Sequence, residues 1–253
     1  MAIIISEKRV LQILLAAALY LSLQSIAATA FEYSLPVNGS TAFIHSSVIF
    51  VNVTFESNLP SWYSTLLIAA SAALVALIAY LHHRKHDRFT VRWAVLSVIF
   101  FYLSLDEATA LHERFTEPLR LALNTENFLY FAWSIVGALF VMVVAFGYWR
   151  LLWALPPRIR RLLLLSALIY VGGALFIDAV SAFWFRDDNL SLTYHAIATI
   201  EEFCEMTGIS LFIYALLSYL HLYVGSVQLT IGSPETAVSA EQQVIHKKTG
   251  TFD

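Results

Sequence analysis

Apolar residues run along this chain in long unbroken stretches, not in alternation and not on one face of an amphipathic helix. Six stretches are long enough to cross a bilayer: Val10 to Ala30, Trp62 to Leu81, Trp93 to about Leu111, Phe128 to Trp149, Leu162 to Phe185 and Tyr194 to Val224. A hydrocarbon core about 30 Å thick takes about 20 apolar residues to span as a helix. A backbone in lipid can satisfy its own polar groups only as helices or as a closed barrel. The pattern therefore predicts an all-α protein, a six-span transmembrane helical bundle formed by residues 1–224 as a single domain. The last run exceeds one crossing and should tilt or protrude. The first, with "EKR" at 7–9 and "ATA" at 28–30, also fits a cleavable signal segment, although its length favours an uncleaved anchor.

The polar stretches between the runs differ in kind. Residues 31–61 carry a "VNGS" turn signal, after which Val51, Val53 and Phe55 alternate with Asn52, Thr54 and Glu56. That alternation predicts a small outer loop or hairpin between spans 1 and 2. Residues 225–253 are polar throughout much of their length and are expected to form a disordered cytoplasmic tail.

Charge sets the orientation. Arg84, Lys85, Arg88 and Arg92 lie between the second and third runs, and Arg150, Arg158, Arg160 and Arg161 between the fourth and fifth. Lys247 and Lys248 lie in the tail, whereas residues 31–61 hold no Lys or Arg. Basic loops stay on the cytoplasmic side, so both termini are expected inside and residues 31–61 outside, in a bacterial-type plasma membrane. Only 13% of the 253 residues are charged and 59% are hydrophobic, against roughly 25% charged in soluble domains. No length remains for a separate soluble catalytic domain. The net charge of -3 offers no basic face for nucleic acid, and the expected partners are membrane lipids. The one cysteine, Cys204, excludes an intrachain disulfide.

Two stretches break the apolar pattern with chemistry. "SLDEATALHE" from Ser104 to Glu113 ends the third run, and "YHAIATIEEFCEMTG" from Tyr194 to Gly208 opens the sixth. At about 1.5 Å per residue, Asp106 lies roughly 10 Å below Glu113, Asp178 about 12 Å below Arg186, and Glu202 about 10 Å below His195. Three helices thus bring carboxylates to one level. Asp106 and Glu113 share a helical face, as do His195, Glu202 and Glu205, while Glu107, His112 and Glu201 point away and should flank the site. A charge at such depth costs at least about 2.5 to 3.5 kcal/mol. The available cations, Arg114, Arg120 and Arg186, lie nearer the helix ends. Two remedies exist: bound metal, or shared protons.

The leading expectation is a metal-dependent membrane enzyme acting on a lipid or other amphiphile. Asp106, Glu113, His195, Glu202 and Glu205 would hold a divalent metal (zinc, iron or manganese), with Asp178 and His112 supporting. Glu202, Glu205 and Asp106 would supply acid–base catalysis, giving a hydrolase with zinc or an oxidase with two irons. The spacings Asp-x6-Glu and His-x6-Glu-x2-Glu differ from the Glu-x-x-His of helical-bundle di-metal sites. A proton- or ion-pathway transport protein using the same acids is the alternative reading. A non-catalytic membrane assembly subunit, with a merely wetted cluster, is the other.

The pair Glu201 and Glu202 is similar to the first motif of the CAAX-processing glutamic intramembrane proteases. That pattern continues with an Arg and with histidines on later helices, whereas Cys204, Glu205 and Met206 follow here. The resemblance covers two residues and assigns no family. His82, His83 and His86 read as a solvated turn, and His45 as a surface residue within reach of the outer cavity. Trp62, Trp93, Trp149 and Trp184 read as interfacial anchors, and Gly172 and Gly173 as points of close helix packing.

Overall fold

A computed structural model describes residues 6–36, 41–187 and 191–224. The "VNGS" turn and the polar tail, with Lys247 and Lys248, lie outside the described residues. Every long apolar run is helical, and the chain forms an all-helical bundle of about six spans. In order these are α1 (Glu7–Ser34), α2 (Ala42–Val51), α3 (Leu59–Arg84), α4 (Thr90–Thr109), α5 (Leu111–Leu123), α6 (Trp133–Ala154), α7 (Pro157–Val171), α8 (Asp178–Asp187) and α9 (Leu192–Val224). A π-helical stretch, Gly172–Ile177, joins α7 to α8, and together they make one span of 29 residues, Pro157–Phe185. Five helices are long and apolar enough to cross a membrane by themselves, and α4 with α5 forms a sixth candidate bent by 80°.

Helix α9 is the axis of the bundle, with α1, α3 and α7 packed on it, and α4 packs along α3. With no hydrophobic drive between helices in lipid, close packing and interhelical hydrogen bonds hold such bundles together. Ser97 and Ser104 of α4 donate to the backbone of α3 at Ala72 (2.9 Å) and Thr65 (3.1 Å). Tyr63 of α3 donates to Leu14 of α1 (2.7 Å), and Ser166 of α7 to Gly208 of α9 (2.8 Å). Gly208 is required there, because a Cβ would stand 2.7 Å from the Tyr170 backbone nitrogen. Gly173 lies against Glu201 and Cys204 of α9, as close packing demands, but Gly172 faces open space. Its expected packing role is not observed.

Leu21, Leu67, Ile68, Met206, Ile209 and Ile213 form one core between α1, α3 and α9. A second core, with Val75, Ile78, Trp93, Leu155, Ile159 and Leu216, closes the end of the bundle that carries the arginine-rich connections. Trp93 is therefore no interfacial anchor: it is 1% exposed. Trp62, Trp149 and Trp184 are exposed, as anchors would be. His82 also departs from the solvated turn expected of it. It is buried, its Nε2 lies 2.8 Å from the Tyr219 hydroxyl, and its ring stacks on Tyr223. Its Nδ1 has no hydrogen-bond partner but lies 3.4 Å from the Asp87 carboxylate, so the Tyr219 hydroxyl and the aromatic face offset only part of the cost of leaving water.

No strand occurs among the described residues, so the alternating pattern at 51–56 does not become a hairpin. Asn side chains take the part that a partner strand would have played. Asn52, 1% exposed, accepts from the Thr54 backbone (2.8 Å) and donates to Thr29 of α1 (3.0 Å). Asn58 donates to the backbone of Ile49 and Asn52 and caps α3 through Ser61. The turn is thereby satisfied without a ladder.

Candidate functional site

The site begins where α4 stops. Ala110 adopts the left-handed conformation (φ 49°, ψ 44°), and α5 leaves at 80° to α4. Asp106, in the last turn of α4, accepts the backbone N–H of His112 on Oδ1 (3.0 Å), satisfying a donor that the first turn of α5 leaves without a partner. Its other oxygen, Oδ2, lies 2.9 Å from His112 Nδ1. The expectation that a continuous helix carries Asp106 and Glu113 on one face, with His112 turned away, is thus corrected. The bend brings His112 back onto Asp106. With Nδ1 engaged by a carboxylate, Nε2 is the nitrogen left to bind a ligand, which is how metal-bound histidines are commonly oriented.

Glu56 completes the arrangement from the loop between α2 and α3. One ligand atom from each of Glu56, His112 and Glu113 lies within 4.8 Å of the others, a spacing that could hold a metal ion. Glu56 and His112 are half-buried and Glu113 is exposed, so the trio opens on one side. Glu56 Oε2 is buried without a hydrogen-bond partner. Burial raises the Glu56 carboxyl above its ordinary value, and the negative charge of Glu113 adds to the rise. Nothing in the sequence marked Glu56 beyond its acidity, since the alternating pattern placed it on the outward face of a strand.

Behind the trio lies a cavity of about 810 Å³. Nine carboxylates reach it: Glu56, Asp106, Glu107, Glu113 and Glu117 from one side, and Asp178, Glu201, Glu202 and Glu205 from α8 and α9. His112 and His195 also line it, but no Lys or Arg does among the described residues. Asp178, Glu202, Glu205 and His195 therefore share a cavity with Asp106, His112 and Glu113, although the metal-spaced group among the described residues contains only the last two of these with Glu56. Glu107 and Glu201, expected to flank the site, line the cavity as well. His45 does not; it pairs with Glu32 at 2.9 Å.

Local structure fixes several of these groups. The π-helical stretch immediately precedes Asp178, and such stretches recur at functional sites because they re-aim one turn of side chains. Asp178 is 5% exposed, and its Oδ2 has no partner. Ser181 reaches the Glu201 carboxylate at 3.1 Å. His195 is tied to the loop that carries Glu56, its Nδ1 lying 3.0 Å from the Thr54 hydroxyl. Away from these acids the cavity is greasy. Leu96, Ile99 and Leu103 of α4 face Phe140, Val141 and Val144 of α6 across it.

A family model described as "Domain of unknown function (DUF8692)" matches residues 10–220. No curated protein and no solved structure matches the chain.

Proposed function

The chain belongs to this family of undefined function, and we propose that its acidic cavity is the active site of a metal-dependent membrane hydrolase acting on an amphiphile. Glu56, His112 and Glu113 would hold the ion. One observation carries this reading: ligand atoms of Glu56, His112 and Glu113 lie within 4.8 Å of one another, and the His112 Nδ1 meets the Asp106 carboxylate at 2.9 Å. Two carboxylates and one imidazole suit zinc, iron or manganese and leave coordination positions open, as catalytic sites do. A single metal-spaced group among the described residues favours hydrolysis over two-metal oxidation.

The bound ion would supply a water acidic enough to attack at neutral pH. The chain's own part is to orient His112 through Asp106, to exclude bulk water beneath the Glu56 loop, and to receive a proton. Glu107, Glu202 and Glu205 line the same cavity and are candidates to receive it. Asp178, which lines the same cavity with a free oxygen, can position a substrate hydroxyl or amide.

Elemental analysis of protein purified without chelator tests the proposal. About one zinc, iron or manganese ion per chain is expected, and Glu56→Gln and His112→Ala should each remove it. Wild-type protein holding no more metal than the Glu56→Gln/His112→Ala double variant would overturn the reading. The nine carboxylates also support a second reading, a proton pathway. It predicts metal-free protein whose proton flux in liposomes is abolished by Glu202→Gln. Neither metal nor flux would leave the assembly-subunit role.

A further inference from the structure

The cavity has two chemically distinct ends, and their contents define what can enter. Its acidic end gathers nine carboxylates and no described Lys or Arg. A divalent ion held by Glu56, His112 and Glu113 would be neutralised by the two carboxylates that bind it; Asp106 is engaged by His112 and Glu117 by Arg120, which leaves Glu107, Asp178, Glu201, Glu202 and Glu205 facing the space. A headgroup with a net negative charge would meet those five with no Lys or Arg among the described lining residues to pair it. An ammonium, hydroxyl or amide N–H would find acceptors in ionised carboxylates, and a hydroxyl or amide oxygen would find donors in protonated ones. Asp178 gives an independent sign that such a group belongs there. It is 95% buried by its 5% exposure, lines the cavity, and keeps one oxygen without a partner. A buried carboxylate oxygen without a partner is costly.

The opposite end is a slot. Leu96, Ile99 and Leu103 on α4 and Phe140, Val141 and Val144 on α6 form its sides. The two helices are joined below it, where the Tyr148 hydroxyl of α6 donates to the Arg92 backbone of α4 at 2.9 Å. They are bridged above it by α5, whose His112 ring lies 4.7 Å from Trp133 of α6. Between these two ties α4 packs chiefly on α3, while α6 packs on α5, α7 and the π-helical stretch. Between the ties, α4 and α6 therefore do not close the slot by packing extensively on each other. Its volume, about 810 Å³ with the acidic end included, lies inside the roughly 300–1,000 Å³ of sites for small ligands.

We propose that the cavity binds an amphiphile with one long apolar chain and a cationic or uncharged hydrogen-bonding headgroup, entering from the bilayer between α4 and α6, and that it rejects anionic headgroups. This names the substrate class of the hydrolase proposed above and rests on that reading for the reaction, but not for the binding. The headgroup lies among Asp178, Glu202 and Glu205, and the chain fills the slot.

Binding of three probes that share one sixteen-carbon chain tests the inference. They carry a trimethylammonium, an alcohol and a sulfate headgroup, and each displaces a fluorescent alkylamine from the purified full-length protein in neutral-lipid nanodiscs. The ammonium probe should bind tightest and the alcohol next, with the sulfate at least about tenfold weaker than the alcohol. Val144→Trp should weaken the ammonium and alcohol probes alike by filling the slot. Val141→Trp repeats that test from the neighbouring turn should the first variant fold poorly. Glu202→Gln/Glu205→Gln should narrow the difference between ammonium and sulfate. A sulfate probe that binds as well as the alcohol, or slot variants that bind like wild type, would overturn the proposal. Running the series with and without chelator separates the two readings. Selectivity that survives in metal-free protein leaves this inference standing even if no metal is ever found, and lost selectivity in metal-loaded protein defeats it alone.

Discussion

Asp106 does two things with one carboxylate: it holds the start of α5 through the His112 backbone and it fixes the His112 ring. The second task is the one expected to matter for a metal. Replacing such a partner typically costs 10–100-fold in metal affinity, and Asp106→Asn should do the same, by about 10–100-fold. Competition against a chromogenic chelator would read this; unchanged affinity would show that Asp106 only caps the helix. Glu56 gives a pH signature of its own. Burial and Glu113 raise its carboxyl, so the folded chain holds that proton more tightly than the unfolded one. The resulting stability is complete below the ordinary carboxylate value and is lost as pH rises through the raised one. Metal-free protein should therefore lose Tm over that window relative to Glu56→Gln. Added zinc or manganese should raise the wild-type Tm most at the upper end, where the ligand is deprotonated. A wild-type Tm that climbs with pH relative to the variant would contradict the assignment. Neither behaviour was legible in the sequence, because Glu56 and His112 meet only through a loop and a bend that no local pattern announces.

At the scale of elements, the spans were legible and their interruptions were not. Hydropathy is a sum over some twenty residues and survives local detail, so the apolar runs reappear as α1, α3, α4, α6, the α7–α8 span and α9. The break at Ala110 contains neither Gly nor Pro, and alanine is a strong helix former. What accompanies the stop of α4 is a local side-chain contact: Asp106 captures His112 six residues on, at a cost in backbone strain at Ala110 (φ 49°). Ala110→Gly should keep metal binding and hold or raise the Tm. Ala110→Val places a β-branched residue in the left-handed region, and should cost about 1–3 kcal/mol and weaken metal binding. If Ala110→Val binds metal normally, the bend is not what assembles the site. The strand-like alternation at 51–56 failed for a related reason. Asn52 and Asn58 bond the turn to itself and to Thr29 of α1, an arrangement written in no periodicity. Glycine packing was half legible, with Gly173 in close contact and Gly172 open. Gly208→Ala should push α7 from α9, since its Cβ would stand 2.7 Å from the Tyr170 backbone, and lower the Tm. Gly147→Ala, which meets nothing within 4 Å, should stay within about 0.5 kcal/mol of wild type.

For the whole molecule, charge is sorted along the bundle. Arg84, Lys85, Arg88 and Arg92 gather where α3 meets α4, and Arg150, Arg158, Arg160 and Arg161 where α6 meets α7. The nine cavity carboxylates lie at the other end, beside the α2 loop and α5. Basic connections are retained on the cytoplasmic side, so the cavity is expected to open in the outer leaflet. That placement decides which lipids the α4–α6 slot can sample: those of the outer leaflet. Single cysteines in a Cys204→Ala background test the orientation. His45→Cys, on exposed α2, should react with an impermeant maleimide in intact cells, and Lys85→Cys only after the membrane is opened. The reverse pattern would place the acidic end on the cytoplasmic face, and the headgroups that the α4–α6 slot meets would then be those of the inner leaflet.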